Sequence, residues 1–328
     1  MKWNDRQCGN IDWSSSFETD TRCLNVFNPR PRNPGRNVTV SALFPKPTPF
    51  LTVRCHDTAS TPSLCGLCVG YEQDHWRASQ LADDMVKWLP EFALTPTEWA
   101  SINHANAVEL IRKAAQVVYQ TDKFKKRGEF GELFLHAIIR QVHDSLPAIS
   151  KIYYKSAAND TVKGFDAVHV VGPHDAMELW LGEAKFYNEI GRAIRDVAKE
   201  LEAHLTTNYL RGEFLLIGNK LDDQLPHTPA LRRLLAQETS LDEVFTRACI
   251  PVLLTYDSDC VASHTQATAL YVTAFEAEIK AHYKTFVDAM AGKAVPKEVR
   301  IHLFLMPLSK KAELVKTLDR KLKTWQQL

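Results

Sequence analysis

Residues 164–185 read GFDAVHVVGPHDAMELWLGEAK, and their alternation decides the architecture. Two β-rich runs, Gly164 to Val171 and Glu178 to Ala184, flank Gly172-Pro173-His174-Asp175, which has the composition of a turn. An antiparallel hairpin centred between His174 and Asp175 sets Asp166 directly opposite Glu183, and directly paired residues project from the same side of a sheet. Lys185 lies two positions past Glu183 and therefore faces that side as well. Two carboxylates and an ammonium are thus gathered at one end of an otherwise apolar hairpin. Such a group is costly to desolvate unless something compensates it, and a divalent cation with water is suited to that role.

Upstream of the hairpin, a helix is expected from Gly128 to Ser145, with Phe130, Leu133, Phe134, Ala137 and Ile138 at helical spacing. A β-rich run follows at Ile149 to Ser156. After the hairpin comes a second helix, Asn188 to Leu205, and then Glu213 to Gly218, which reads as a buried strand. The order α, β, β, β, α, β describes a mixed sheet flanked by helices. Beyond it, a helix near Leu231 to Ala236, a strand at Ile250 to Tyr256, a long helix at Gln266 to Met290, a strand at Val299 to Met306 and a final helix continue the alternation.

The first 120 residues differ in character. They open on an irregular, Pro-rich stretch with strands expected at Val38 to Leu43 and Phe50 to Arg54. Two helical patterns follow. One carries Trp76, Leu81, Met85, Trp88 and Leu89 and is expected to stop at Pro90; the other starts behind Thr95-Pro96-Thr97-Glu98, a capping signature, and runs to Val117. This divides the chain into an accessory α+β domain at 1–120, a core at 121–220 and an α/β extension of the core at 221–328.

A hydrolytic reading suits the hairpin cluster. Asp166 and Glu183 would hold Mg²⁺ or Mn²⁺, and Lys185 would orient the attacking water and stabilise charge on the phosphorane. A helix carboxylate could complete the shell. Glu129 and Glu132 sit one turn apart with His136 a turn further on; Glu132, deeper in the helix, is the preferred ligand, while Glu129 suits a first-turn acid favoured by the helix dipole. His136 reads as a packed or hydrogen-bonded residue. Gly128 and Gly131 would let this helix approach the sheet closely. Lys123, Lys125, Lys126 and Arg127 form a basic run, and Arg192, Arg195 and Lys199 form a basic stripe; both are candidates for contacting DNA phosphates, although Glu189, Asp196, Glu200 and Glu202 make a salt-bridged surface an equal reading of the stripe. Tyr187 and Asn188 follow the cluster closely enough to orient substrate.

These residues resemble a known group. The element order, with Glu132 on the first helix, Asp166 on the second strand and Glu183-Ala184-Lys185 on the third, is similar to the PD-(D/E)xK nuclease superfamily and its restriction-endonuclease-like fold. More narrowly, Arg127-Gly-Glu-Phe-Gly-Glu132, Lys163-Gly-Phe-Asp166 and Leu181-Gly-Glu-Ala-Lys-Phe-Tyr187 resemble the HamA family, nuclease subunits of the bacterial Hachiman anti-phage system. Cys68-Val-Gly-Tyr-Glu72 and Trp88-Leu-Pro-Glu-Phe-Ala-Leu94 extend that resemblance toward the N-terminus. No proline precedes Asp166, where Phe165 stands instead. The resemblance implies a metal-dependent deoxyribonuclease restrained by a superfamily 2 helicase, HamB, and released when infection perturbs DNA. The alternative is a catalytically inactive, DNA-binding adaptor of the same fold that regulates a helicase.

Composition constrains these readings without opposing them. The 328 residues carry 40 Lys and Arg against 39 Asp and Glu, a formal net charge of +1, with 45% hydrophobic residues. That composition excludes a disordered or collagen-like chain. Near-neutrality does not exclude a DNA partner, because the charge is patchy: Arg22 to Arg54 holds six basic residues and no acids, Glu72 to Glu109 seven acids against two bases, and Ser309 to Leu328 six bases against two acids. The start lacks the apolar core of a signal peptide, and no run approaches a membrane span. Seven scattered cysteines suit a reduced, cytoplasmic protein. Cys55, His56, Cys65, Cys68 and His75 include one CxxC and offer a rival zinc site, against which buried free thiols are the simpler reading.

Overall fold

The computed structural model describes residues 45–118, 128–149, 164–223 and 225–328. Of the two units into which the chain divides, 1–43 and 44–328, the second carries every element below. The strand expected at Val38 to Leu43 lies outside the described residues, as does most of the β-rich run at Ile149 to Ser156.

The hairpin of residues 164–185 forms in the expected register. Strands β6 (Ala167–Val171) and β7 (Glu178–Phe186) pair antiparallel with Ala167 against Gly182, His169 against Trp180 and Val171 against Glu178. A short 3₁₀ turn, His174–Ala176, connects them. Asp166 lies one residue outside the ladder at the position facing Glu183, and its N–H donates to Gly182 O at 2.8 Å.

This hairpin is part of a seven-stranded mixed sheet. Its other members are β1 (Thr52–Asp57), β2 (Ser63–Cys68), β5 (Leu146–Ile149), β8 (Ala248–Asp257) and β9 (Arg300–Leu308), in the order β1-β2-β9-β8-β7-β6-β5. The inner strands β2, β9, β8 and β7 run parallel, and the pairs at both edges are antiparallel. The parallel strands are nearly continuous apolar runs, as burial on both faces requires. Segments on either side of residues 120 and 220 share this one sheet. A separate two-stranded ladder joins β3 (Tyr71–Glu72) to β4 (His75–Trp76).

One face of the sheet is covered by α1 (Ala78–Ala93), α3 (Ala107–Val118), α4 (Glu129–His143) and α11 (Lys311–Gln326), which bury a common core with Leu67, Trp180, Phe186, Leu253 and Phe304. The opposite face is covered by α5 (Ile190–His204) and α10 (Ala269–Met290); Ile279 of α10 lies against Gly66 of β2. The remaining helices are α2 (Pro96–Ala100), α6 (Thr207–Gly218), α7 (Thr228–Leu235), α8 (Leu241–Arg247) and α9 (Asp259–Ser263). Among the described residues, no helix is long and apolar enough to cross a membrane.

Three expectations are corrected. Glu213 to Gly218 is not a strand but the second half of α6, in which Leu210, Phe214 and Ile217 are buried at helical spacing while Leu215 and Leu216 face outward. A short apolar run cannot distinguish strand from helix by periodicity, and here the preceding turn supplies the rest of the helix. The strand beside β7 is instead β8, reached only after two further helices. Helix α1 also runs through Pro90 to Ala93, and it closes where the N–H of the extended residue Leu94 donates to Pro90 O at 3.0 Å. Finally, the capping box at Thr95 forms as expected but starts only the short α2. The Asn103 and Asn106 side chains take backbone N–H groups at 2.9 and 2.8 Å in place of helical bonds, and α3 begins afresh.

Gly131 is where α4 meets β7. A Cβ at that position would lie 2.9 Å from Phe186 Cβ and 3.5 Å from Ala184 Cβ, atoms tied closely to the strand backbone. Gly131→Val should therefore lower the unfolding free energy by about 1–3 kcal/mol, as overpacking does. A urea midpoint equal to the parent's would show that the helix can withdraw at no cost.

Candidate active site

Glu183 and Lys185 project from β7 on the side opposite α4, toward α5. The fit between the two elements is geometric. Residues two apart on a strand are separated by about 6.6 Å, close to the roughly 6 Å rise between residues four apart on a helix. Glu183 and Lys185 accordingly meet His204 and Glu200. His204 Nδ1–H donates to Glu183 Oε1 at 2.7 Å, Lys185 Nζ donates to Glu200 Oε2, and Lys185 Nζ lies 3.8 Å from Glu183 Oε2. Asp166 closes the group from β6, where its Oδ2 accepts the Ala184 N–H at 2.9 Å.

The supports of this group are aromatic. The His204 ring stacks on Tyr209 with centroids 4.3 Å apart, and Phe165 meets its edge at 5.6 Å. Gly164 adopts φ +135°, a conformation that side chains disfavour, and Glu213 of α6 occupies the space where a Cβ would stand.

Burial sets the electrostatics. Glu183 is 2% exposed, and removal from water pushes its carboxyl up to about 7; the Asp166 charge adds to the rise, and the His204 hydrogen bond and the Lys185 charge oppose it. Burial would lower the Lys185 pKa, but the Glu183, Glu200 and Asp166 carboxylates outweigh it and hold the ammonium charged. His204 behaves likewise: burial disfavours its cation, yet Glu183 and Glu200 raise its pKa.

The sequence places the chain more sharply than the geometry does. The HamA family profile matches residues 48–322, from just before β1 to near the end of α11. The chain belongs to the HamA family. It is also 22% identical over 257 residues to Anti-bacteriophage protein A of Escherichia coli (strain K12), an alignment that covers 77% of this chain. The chain spans about half the length of that curated relative, 46%.

Within this HamA fold, Asp166, Glu183 and Lys185 are brought together. Glu132 is buried in the first turn of α4, and α4 packs on the other face of β7, against Ala184 and Phe186. Among the described residues, no three His, Cys, Asp or Glu side chains form a metal-binding group. The donor set that does converge, Asp166 with Glu183, fits the one or two carboxylates by which Mg²⁺ is usually held alongside water and phosphate oxygens. The raised Glu183 pKa marks a place where added positive charge would be favourable.

Arg192 and Arg195 lie on the exposed face of α5, where Arg192 Nε is 3.6 Å from Asp196. Lys123, Lys125, Lys126 and Arg127 lie outside the described residues. His136 is a packed residue, 3.3 Å from Glu91 and in ring contact with Trp88, Phe92 and His169. The CxxC pair is split by the sheet: Cys65 joins the core on the α4 side, and Cys68 Sγ lies 3.2 Å from the Tyr271 hydroxyl on the other. Sequence reasoning missed His204 and read Glu200 only as a surface charge. The available signal was their i, i+4 spacing on the helix after the hairpin, but nothing local to that helix says which face meets β7.

Proposed function

We propose that this HamA-family chain is a metal-dependent DNA nuclease of the PD-(D/E)xK type, acting in the cytoplasm as the effector of an anti-phage defence complex and restrained by a HamB-like superfamily 2 helicase. The observation that carries the chemistry is the convergence of Asp166, buried Glu183 and charged Lys185 at one end of the β6–β7 hairpin. Family membership and the anti-phage relative support the defence role. In this reading residues 121–220 carry the chemistry, and the flanking segments support it and offer surfaces for the partner.

Asp166 and Glu183 would hold Mg²⁺, with Glu132 as a third ligand candidate. The ion, when bound, supplies Lewis-acid polarisation of a phosphoryl oxygen and a more acidic water. The chain's own residues do the rest. His204 fixes the rotation of the Glu183 carboxylate by holding Oε1, which leaves Oε2 turned toward Lys185. Glu200 steadies the Lys185 ammonium, a full positive charge in a largely buried place, to stabilise the charge that develops on the phosphorane. Arg192 and Arg195, and the basic run Lys123 to Arg127, would contact the DNA backbone.

The test is digestion of supercoiled, linear and single-stranded DNA by the full chain, in Mg²⁺, Mn²⁺ or EDTA, with and without the partner helicase. Cleavage that requires the metal and is reduced by the helicase is expected. Absence of cleavage on all three substrates in both metals, without the helicase, would overturn the nuclease reading in favour of the adaptor.

A further inference from the structure

The end of β7 carries a second group of side chains that the hydrolytic residues do not use. Tyr187 follows the strand directly, two residues past Lys185, and two cations from different elements meet on its ring. The Arg192 guanidinium of α5 lies 5.2 Å from the ring centroid. The Lys311 ammonium, from the first residue of α11, lies 6.0 Å from it and 4.8 Å from the Phe186 ring. Lys311 is 124 positions from Tyr187 in sequence, and only the placement of β9 beside β8 brings it here.

The acids in this neighbourhood are already engaged. Asp196 accepts the Tyr187 hydroxyl at 3.0 Å and lies beside Arg192. Asp257 accepts the backbone N–H of Lys311 at 2.6 Å. Among the described residues, the Lys311 ammonium makes no ion pair, although its side chain is half-buried. Burial and the Arg192 charge hold its pKa below the usual lysine range, against the attraction of Asp257. A cation in the first turn of a helix also stands against the helix dipole. Arg192 is paired with Asp196, so the unpaired charge is that of Lys311, which an anion would relieve, and the Lys185 charge reaches Tyr187 from the other side.

We propose that Lys311, together with Arg192 and Tyr187, holds a backbone phosphate of the DNA strand next to the phosphodiester cut at Glu183 and Lys185. This subsite rests on the nuclease reading above. Lys311 supplies the charge from a desolvated position, where it acts more strongly than an exposed lysine. Its ammonium already lies over the Phe186 ring in a half-buried position, so less side-chain freedom is lost on binding than for an exposed lysine.

Binding of a fluorescent oligonucleotide to the full chain in EDTA, between 50 and 200 mM salt, tests the subsite separately from cleavage. Lys311→Met keeps the packing over the rings and removes the charge. It should weaken binding roughly three- to tenfold at the lower salt and reduce the log–log salt slope by about 0.9 for duplex or 0.7 for single strands, the signature of one lost phosphate contact. Lys311→Arg should restore both, and Lys316→Met, on the exposed side of the same helix, should match the parent. Arg192→Gln, a surface change with little risk to folding, should reduce the slope similarly. Parental affinity and slope in Lys311→Met and Arg192→Gln would overturn the subsite even if the parent binds and cuts DNA. A parent that neither binds nor cuts DNA would overturn the nuclease reading itself.

Discussion

A Glu183→Gln variant should lose metal-dependent DNA cleavage by on the order of a thousandfold or more, yet melt no lower than the parent at pH 8. Both halves follow from the same carboxylate. Glutamine is nearly isosteric and can still accept from His204, but it cannot supply the charge that a divalent cation needs. In stability terms that charge is a burden. Burial, with Asp166 beside it, raises the Glu183 pKa from 4.5 to about 7, against the pull of the His204 hydrogen bond. A folded-state pKa above the unfolded value contributes stability that is present below about pH 4.5 and is lost as pH rises to about 7, after which it stays lost. The loss is about 3 kcal/mol above pH 7. The raised His204 pKa has the same sign, with stability present below 6.5 and lost as pH rises through its folded value.

The variant has no carboxyl to titrate at 183. The difference in unfolding free energy between variant and parent, measured in EDTA, should therefore open in the variant's favour from pH 5 to pH 7 and level off by pH 8. A difference that stays flat across that range would mean that Glu183 does not carry the raised pKa. Adding millimolar Mg²⁺ at pH 8 should raise the melting temperature of the parent and leave the variant unmoved, because only a ligand bound to the folded state shifts the midpoint. Equal shifts in both proteins would place the metal elsewhere.

The second large effect concerns a buried ion pair between α4 and α1, on the face of the sheet opposite Glu183 and Lys185. Glu91→Ala should lower the unfolding free energy by about 3–5 kcal/mol, the cost of leaving a buried charge without its partner. Arg140, fully buried on α4, donates Nε–H to Glu91 Oε1 at 2.5 Å and an Nη2 hydrogen to Oε2 at 3.2 Å, a two-bond fork between α4 and α1. His136 Nε2 stands 3.3 Å from the same carboxylate, and Arg140 also donates to Ser145 O. Ser145 Oγ in turn lies 2.8 Å from His169 Nδ1 of β6. Burial would raise the Glu91 pKa, but His136 and Arg140 overcome it and hold the carboxyl below its ordinary value.

A charge-matched control separates the ion pair from mere packing. The double variant Glu91→Leu/Arg140→Met removes both charges and fills the space, so it should be more stable than Glu91→Ala alone. Chemical denaturation of the three proteins reads this directly. A loss below about 1 kcal/mol for Glu91→Ala would show that water reaches Arg140 and that the pair is not a clamp. Since α4 is the support behind β7, a protein with a loosened clamp should also lose cleavage at temperatures where it is still mostly folded.

Much of the β6–β7 hairpin was legible in the sequence because its determinants are local. Alternation assigns the faces of β6 and β7, and the turn at His174-Asp175 sets the register, so Asp166, Glu183 and Lys185 could be grouped from spacing alone. The capping box at Thr95 and the close approach at Gly131 were equally visible. The reading went wrong where local pattern is ambiguous. Glu213 to Gly218 is as apolar as a strand, and it is helical as the continuation of the turn that starts at Thr207, with Leu210, Phe214 and Ile217 buried between α5 and α7. Pro90 stands in the last turn of α1, which ends at Ala93 with Leu94 N–H donating to Pro90 O, so the proline marks the end of the helix without stopping it at once.

Local residue patterns were enough for the α/β class, the register of the hairpin, the carboxylates and lysine at its end, and the resemblance that family membership then bore out. These depend on short-range periodicity and turn chemistry, which a chain carries at every point along its length. Long-range packing selected which helix face meets β7, and so brought His204 and Glu200 onto Glu183 and Lys185. It also decided that α4, with Glu132, lies on the opposite face of that strand, and that Lys311 reaches Tyr187 from the far end of the chain. Those contacts depend on the order β2-β9-β8-β7 in the sheet. That order is set by burying apolar faces against one another, an energy that belongs to the whole assembly and has no local signature.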